Sequence, residues 1–411
     1  MTASSDRQYR TLALLLAALA TLGPFSIDTF LPAMQAIGAS LNASPIAIQQ
    51  ALSVYMFFYG LMMLWHGAIS DAVGRRPVIL VTSALFVIAS LGCVFSANLP
   101  MLLVFRGLQG VCGGAGLIVG RAIIRDKLEG PNAQRLMSQV TMLFSLAPAI
   151  APMIGGWLFG AFGWHSIFVF MALVGLLLFV ASLRYLDESL PPPARQPLAF
   201  KALAKNYWEV LALADFRLLA LAVACNFAGF FLYIPSAPVF LMRHLGLSPQ
   251  QFIWLFGPAV SGIMFGAYLS GRMAGQRSTR EIVNIGYSLM FLAAALNLGY
   301  HLLFPPALPW SVLPMPIYTT GMSLVAPTIT LILMDQFPHL RGTVSSMQGF
   351  TQTMLSSLVA GVISPLLSGS TVTLALGMMG FLVTGFTLRM VFRRRLDRRE
   401  ALRTVSSAAL K

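Results

Sequence analysis

Charge is scarce in this chain. Asp, Glu, Lys and Arg make up 10% of its 411 residues and hydrophobic residues 57%, whereas a soluble domain carries roughly 25% charged residues. Acids are scarcer still, 13 against 27 Lys and Arg. That composition excludes an ordinary soluble domain. Cysteine is nearly absent: Cys93, Cys112 and Cys225 all lie within apolar runs, and an odd number without ligand spacing gives neither a disulfide framework nor a metal site. His66, His165, His244, His301 and His339 are scattered at the ends of apolar runs without a carboxylate or cysteine at ligand spacing. No Gly-rich loop with a following Lys is present to cradle phosphate, so ATP is not the expected energy source. The chain is therefore expected to be no enzyme and to need no metal or cofactor.

Long apolar runs are what it has. Twelve of about twenty residues lie near 11–34, 46–66, 78–97, 100–122, 137–159, 164–183, 216–240, 252–271, 282–303, 310–334, 344–367 and 371–392. An even number places both termini on one side of a membrane. All but two of the 27 basic residues then fall on that side, the exceptions being Arg243 outside and Arg106 within a run. Such asymmetry marks that side as cytoplasmic and points to an all-α, multi-pass membrane protein. It also removes nucleic acid as a partner, because the basic residues border the runs instead of forming one face. The cluster RRRLDRRE at 393–400 suits anionic lipid headgroups. The N-terminus imitates a cleavable signal, with Arg7, Arg10 and Ala18-Leu19-Ala20, yet its apolar run continues to Met34 and is expected to stay.

The longest polar interval divides the chain. Pro191, Pro192 and Pro193 begin a stiff segment that leads into the amphipathic stretch LAFKALAKNYWEVL. The expected organisation is a six-helix half at 1–183, a cytoplasmic linker at 184–215, a second six-helix half at 216–392 and a basic tail at 393–411. A faint repeat agrees: GAISDAVGRRP from Gly67 has a counterpart, GAYLSGRMAGQR, from Gly266.

One acid, Asp28, sits inside an apolar run. An ionised carboxylate there costs at least ~2.5–3.5 kcal/mol on insertion scales, and such residues are functional by default. The one base in the same position is Arg106. At ~1.5 Å per residue, Asp28 lies about 7–8 Å and Arg106 about 9–10 Å to the outer side of the middle of its span. Two readings stay open: an ion pair that locks spans 1 and 4, or a proton site whose exchange Arg106 tunes. Each charge lies on a polar stripe, with Thr21, Asp28 and Gln35 at two-turn spacing and Arg106, Gln109 and Gly110 on one face. Pro24 and Pro32 predict a distorted helix with freed carbonyls beside the acid. Burial favours a neutral carboxyl and a nearby cation an ionised one, so a cavity opening alternately to each side can load and release a proton.

Neutral polar groups recur among aromatics and methionines in the second half. Asn226, Phe230, Tyr233, Tyr318, Met322, Gln348 and Gln352, with Thr21, Gln35 and Gln109 from the first half, are expected to line a cavity for a loosely held lipophilic solute. Gly110, Gly114, Gly116 and Gly120 are expected to let span 4 pack closely.

The loop GAISDAVGRRP, with Gly67, Asp71, Gly74, Arg75 and Arg76 between spans 2 and 3, resembles the signature loop of the major facilitator superfamily. FRGLQGVCGGAG in span 4 is similar to the superfamily's Arg motif. LAPAIAPMIGG in span 5, with Pro148, Pro152, Gly155 and Gly156, is similar to its antiporter motif. GPFSIDTFLPAM and RAIIRD look like the Bcr/CflA-type multidrug exporters. That resemblance implies two pseudo-symmetric halves around a central cavity, alternating access, a signature loop that latches one conformation, and export of antibiotics against protons by a monomer. A metabolite transporter of the same fold is the alternative. The chain departs from the pattern at Ala68 and Ala72 in the loop and at Ala151 in span 5.

Overall fold

The computed structural model describes residues 3–128, 130–337 and 340–409; the expectations placed on His339, Leu410 and Lys411 lie outside them. Among the described residues, twelve helices are long and apolar enough to cross a membrane. Spans 1 to 6 are Thr11–Ser40, Pro45–Val73, Arg75–Val94, Leu99–Lys127, Leu136–Phe162 and His165–Tyr185. Spans 7 to 12 are Ala214–His244, Pro249–Met273, Thr279–Leu303, Pro314–Gln336, Gly342–Leu367 and Thr371–Arg398. No strand occurs among the described residues. Helices are the natural outcome, because hydrocarbon offers no partner to a backbone N–H or C=O left open.

The helix starts follow local chemistry. Ser44 precedes Pro45 and its Oγ accepts from the Ala47 N–H at 3.2 Å. Asn98 Oδ1 accepts from the Met101 N–H at 3.0 Å. Ser278 and Glu281 satisfy each other's backbone N–H at the start of span 9. The loops alternate between two ends of the bundle. The end bearing the termini and nearly all the Lys and Arg is the basic end; the other is the far end.

Buried apolar side chains gather in two cores. One is built from spans 1 to 6. The other is built chiefly from spans 7 to 12 and takes in Leu31, Leu52, Tyr55, Met56 and Tyr59 from spans 1 and 2. Spans 2 and 11 form a long seam between the halves. Ser53 Oγ donates to the Ser357 carbonyl and Ser357 Oγ to the Ser53 carbonyl, each at 2.9 Å. Further toward the far end, Gln50 Nε2 donates to the Gly361 carbonyl at 2.7 Å.

Between spans 6 and 7 the linker carries a helix, Phe200–Ala212, at the basic end. Tyr207 Oη donates to the Leu64 carbonyl at 2.6 Å, and the rings of Trp65 and Phe200 lie 5.5 Å apart. Burial pushes the Tyr207 phenol up to about 12, so it remains a donor at any physiological pH. The basic tail expected at 393–411 begins inside a helix. Span 12 runs on as one helix, Thr371–Ala409, because RRRLDRREALR holds strong helix formers and neither Gly nor Pro.

Candidate functional site

Span 1 breaks at its acid. Its α-helix ends at Asp28, a 3-10 turn covers Leu31–Ala33, and Met34–Ser40 resumes the α-helix. Pro32 has no N–H to offer the Asp28 carbonyl four residues earlier, which is where regular bonding stops. Asp28 is buried, and its Oδ1 has no hydrogen-bond partner.

Arg106 is fully buried and lies elsewhere. Its Nη1 donates to the Ser26 carbonyl at 3.2 Å, to Ser26 Oγ at 3.1 Å and to Gln109 Oε1 at 2.8 Å. Nε reaches the Ala51 carbonyl at 3.4 Å. The guanidinium stacks between two rings, 4.8 Å from the centroid of Phe30 and 4.5 Å from that of Tyr55. Gln109 Nε2 passes the network on to Ser90 Oγ at 2.8 Å. Asp28 takes no part in it. Ser26 and Phe30 each stand two residues from Asp28, so they point about 200° away around the helix. The two lone span charges share a depth but occupy opposite faces of span 1, and the ion pair left open by the sequence is not formed.

At the basic end, Arg75 binds Asp71 at 2.5 Å and Asp126 at 3.1 Å, and its Nη1 donates to Ser70 Oγ at 2.6 Å. Gly74 has φ +108°, which an L side chain rarely adopts, so the turn between spans 2 and 3 demands glycine there. Gly67 has open space around it, with only Ile118 at van der Waals distance of an added Cβ. Sequence reasoning missed the linker's share. Glu188 Oε1 accepts from the Arg75 N–H at 2.9 Å and Oε2 from the Arg76 N–H at 3.3 Å, an anion on the first turn of span 3. Arg76 Nη2 donates to the Leu183 carbonyl at 2.9 Å, and Ser189 Oγ to Asp126 at 2.9 Å. Arg195 stands 3.9 Å from Glu188, placing a cation beside the loop that has Ala72.

At the far end the helices touch through glycine. A Cβ on Gly155 would strike the Thr29 carbonyl, one peptide beyond Asp28, and a Cβ on Gly156 would strike the Pro249 carbonyl of span 8. Gln250 Nε2 also donates to the Gly156 carbonyl, at 3.4 Å. The halves are thus joined between spans 5 and 8 at this end. Toward the basic end the same two spans part around a cavity of about 630 Å³, lined by Arg125, Gln134, Met137, Ser138, Ile263 and Met264 among others.

The profile of the Major Facilitator Superfamily matches residues 14–361. The chain belongs to that superfamily. It is 32% identical over 364 residues to an uncharacterized MFS-type transporter, YdgK, of Bacillus subtilis, covering 88% of this chain and 89% of the relative. It is 25% identical to a bicyclomycin resistance protein homolog of Haemophilus influenzae, covering 85% and 88%. With multidrug resistance protein D of Escherichia coli it shares 28% identity, covering 90% and 93%.

None of the ten residues named from the sequence borders the 630 Å³ cavity. Asn226 Nδ2 donates to Tyr287 Oη at 2.9 Å and Tyr318 Oη to the Asn226 carbonyl at 2.9 Å. Asn297 Nδ2 donates to Tyr233 Oη at 2.6 Å, and Gln348 Nε2 to Thr330 Oγ1 at 2.8 Å. Gln109 is spent on Arg106 and Ser90, while Phe230 and Met322 belong to the second core. Amides and phenols inside hydrocarbon seek one another, and here they do so within a half. Thr21 is half-buried and donates to the Ala18 carbonyl at 2.9 Å; Gln352 is half-buried; Gln35 is exposed toward the far end. Of the four span 4 glycines named from the sequence, Gly110 and Gly116 meet the Tyr55 and Leu19 carbonyls, whereas Gly114 and Gly120 have ordinary space. Pro148 and Pro152 lie inside the helix of span 5.

The loop yields a test. Glu188→Ala removes the acceptor for three backbone N–H groups, those of Arg75, Arg76 and Leu190, and is expected to cost about 1–2 kcal/mol locally. Trypsin should then cut after Arg195 several-fold faster than in the unmodified protein, with Glu188→Gln between the two. Equal cutting rates would show that Glu188 does not fasten the linker to the loop.

Proposed function

We propose that this transporter is a proton-driven exporter of lipophilic, drug-like solutes, of the Bcr/CflA type, in a bacterial inner membrane with both termini cytoplasmic. The observation that carries the reading is Asp28: a buried carboxyl with an unpartnered oxygen, at a helix break, beside the glycine contact that closes the far end. Relatives named for resistance to bicyclomycin and to multiple drugs support the cargo class.

With the basic end taken as cytoplasmic, the cavity between spans 5 and 8 opens to the cytoplasm and the far end is shut. Solute enters in this state and Asp28 releases its proton. Separation of Gly156 from Pro249 opens the far end, where solute leaves and Asp28 is loaded again. Asp71, Arg75, Asp126 and Glu188 hold the basic end of the first half together, and their rearrangement accompanies the switch. Arg106 stays charged throughout and fixes spans 1, 2 and 4 against one another.

Inverted vesicles, acidified inside by respiration, test the reading. Adding a transported lipophilic compound should release luminal protons, seen as dequenching of a pH-sensitive acridine dye. Expression in an efflux-deficient host should raise the inhibitory concentration of at least one lipophilic antibiotic. Proton release with a hydrophilic metabolite but with no drug would move the assignment to metabolite transport.

A further inference from the structure

The cavity at the basic end holds a charge that the transport cycle above leaves unused. Arg125 projects into its lining from the end of span 4, and the other named lining groups are neutral. Arg121 stands one turn earlier, on the same face of the helix. No carboxylate among the described residues lies within ion-pair distance of either guanidinium. Asp126, next in the chain, is committed to Arg75 and Ser189. Two like charges one turn apart destabilise each other by a few tenths of a kcal/mol in an isolated helix. An arriving anion reverses the sign of that term.

The rest of the lining says what accompanies the anion. Met137, Met142, Ile263 and Met264 supply an apolar, adaptable wall, and methionine accommodates varied shapes without strain. Thr141 Oγ1 is occupied by the Met137 carbonyl at 2.9 Å, which leaves Gln134 and Ser138 as neutral polar groups near the arginine. At about 630 Å³ the space lies within the roughly 300–1,000 Å³ typical of sites for drug-sized ligands.

We infer that this cavity is an entry site selective for lipophilic anions, with the Arg125 guanidinium receiving a carboxylate, sulfonate or phosphate and the methionines receiving the apolar body. The planar fork of arginine suits such groups bidentately, and the same charge repels lipophilic cations. This narrows the substrate class of the exporter proposed above and rests on that reading.

The test compares two fluorescent probes in inverted vesicles, the anion 1-anilinonaphthalene-8-sulfonate and the cation ethidium. Arg125→Gln should shift the ratio of kcat/KM for anion over cation at least about tenfold toward the cation, the scale of a lost charged hydrogen bond. Arg125→Lys, which keeps the charge without the fork, should fall between. An unchanged ratio overturns the inference and leaves export itself standing. If the unmodified protein moves neither probe, the inference is read from binding instead. Equilibrium binding of the sulfonate to detergent-purified protein then decides: binding weakened at least about tenfold by Arg125→Gln supports an anion site, and equal binding overturns it. Arg125-dependent retention of phosphatidylglycerol that blocks the sulfonate marks a resident lipid and also overturns an entry site.

Discussion

Asp28→Asn should reduce drug-driven proton release in inverted vesicles to the background of empty vesicles. The amide matches the carboxyl in size and can remain buried, but it has no proton to exchange at any pH reached in a cell. Coupling requires that one group bind a proton in one state and lose it in the other. The apolar runs contain no other acid, and the carboxyl at Asp28 has an oxygen free of partners. Binding of the drug to detergent-purified Asn variant should persist, because Asp28 does not border the cavity. Asp28→Glu, longer by one methylene but titratable, should restore part of the release. Full-rate release by the Asn variant would show that the protons travel by another route.

Arg106→Met should cost the most in stability of any single change considered. Its guanidinium serves the Ser26 carbonyl, Ser26 Oγ, Gln109 Oε1 and two aromatic faces. Removal strands buried acceptors at about 1–3 kcal/mol each, so about 3–5 kcal/mol in all is expected. The readout is the melting temperature in detergent, with Arg106→Lys recovering part of the loss. Arg106 and Asp28 face opposite sides of span 1, so surviving Lys variant should keep substrate-driven proton release. Loss of coupling in a well-folded Lys variant would instead restore the arginine to the proton site.

Much of the architecture was legible because membranes restrict the options. Runs of apolar residues long enough to cross, and bases almost all on one side, left helices and an even count as the consistent solution. Gly74 was legible only through the signature-loop resemblance; the backbone conformation that demands glycine there came from the structure. Asp28 stood out by solvation cost alone. Its relation to Arg106 was not legible: depth follows from residue count, but the face follows from which neighbours a helix meets. What the polar stripes face was not legible for a related reason. Asn226, Tyr318 and Gln109 recur at helical spacing, yet a stripe turned into a half's interior has the same period as one turned toward a solute path. Arg125 was read as one of the topology-setting bases and as part of RAIIRD, with no link to Gln134, Ser138 and Thr141, which repeat on one helical face beside it in the cavity. Glu188 was beyond local pattern, since its partners Arg75 and Arg76 lie more than a hundred residues away.

The two neighbouring glycines of span 5 give that helix a double seat. One leans on the backbone just past the acid and the other on the opposite half. A rigid rod resting on both supports cannot lift off one without pressing or tilting at the other. A shift of span 5 away from the opposite half would therefore bear directly on the peptide adjoining Asp28, with no intervening chain of side chains to relay it.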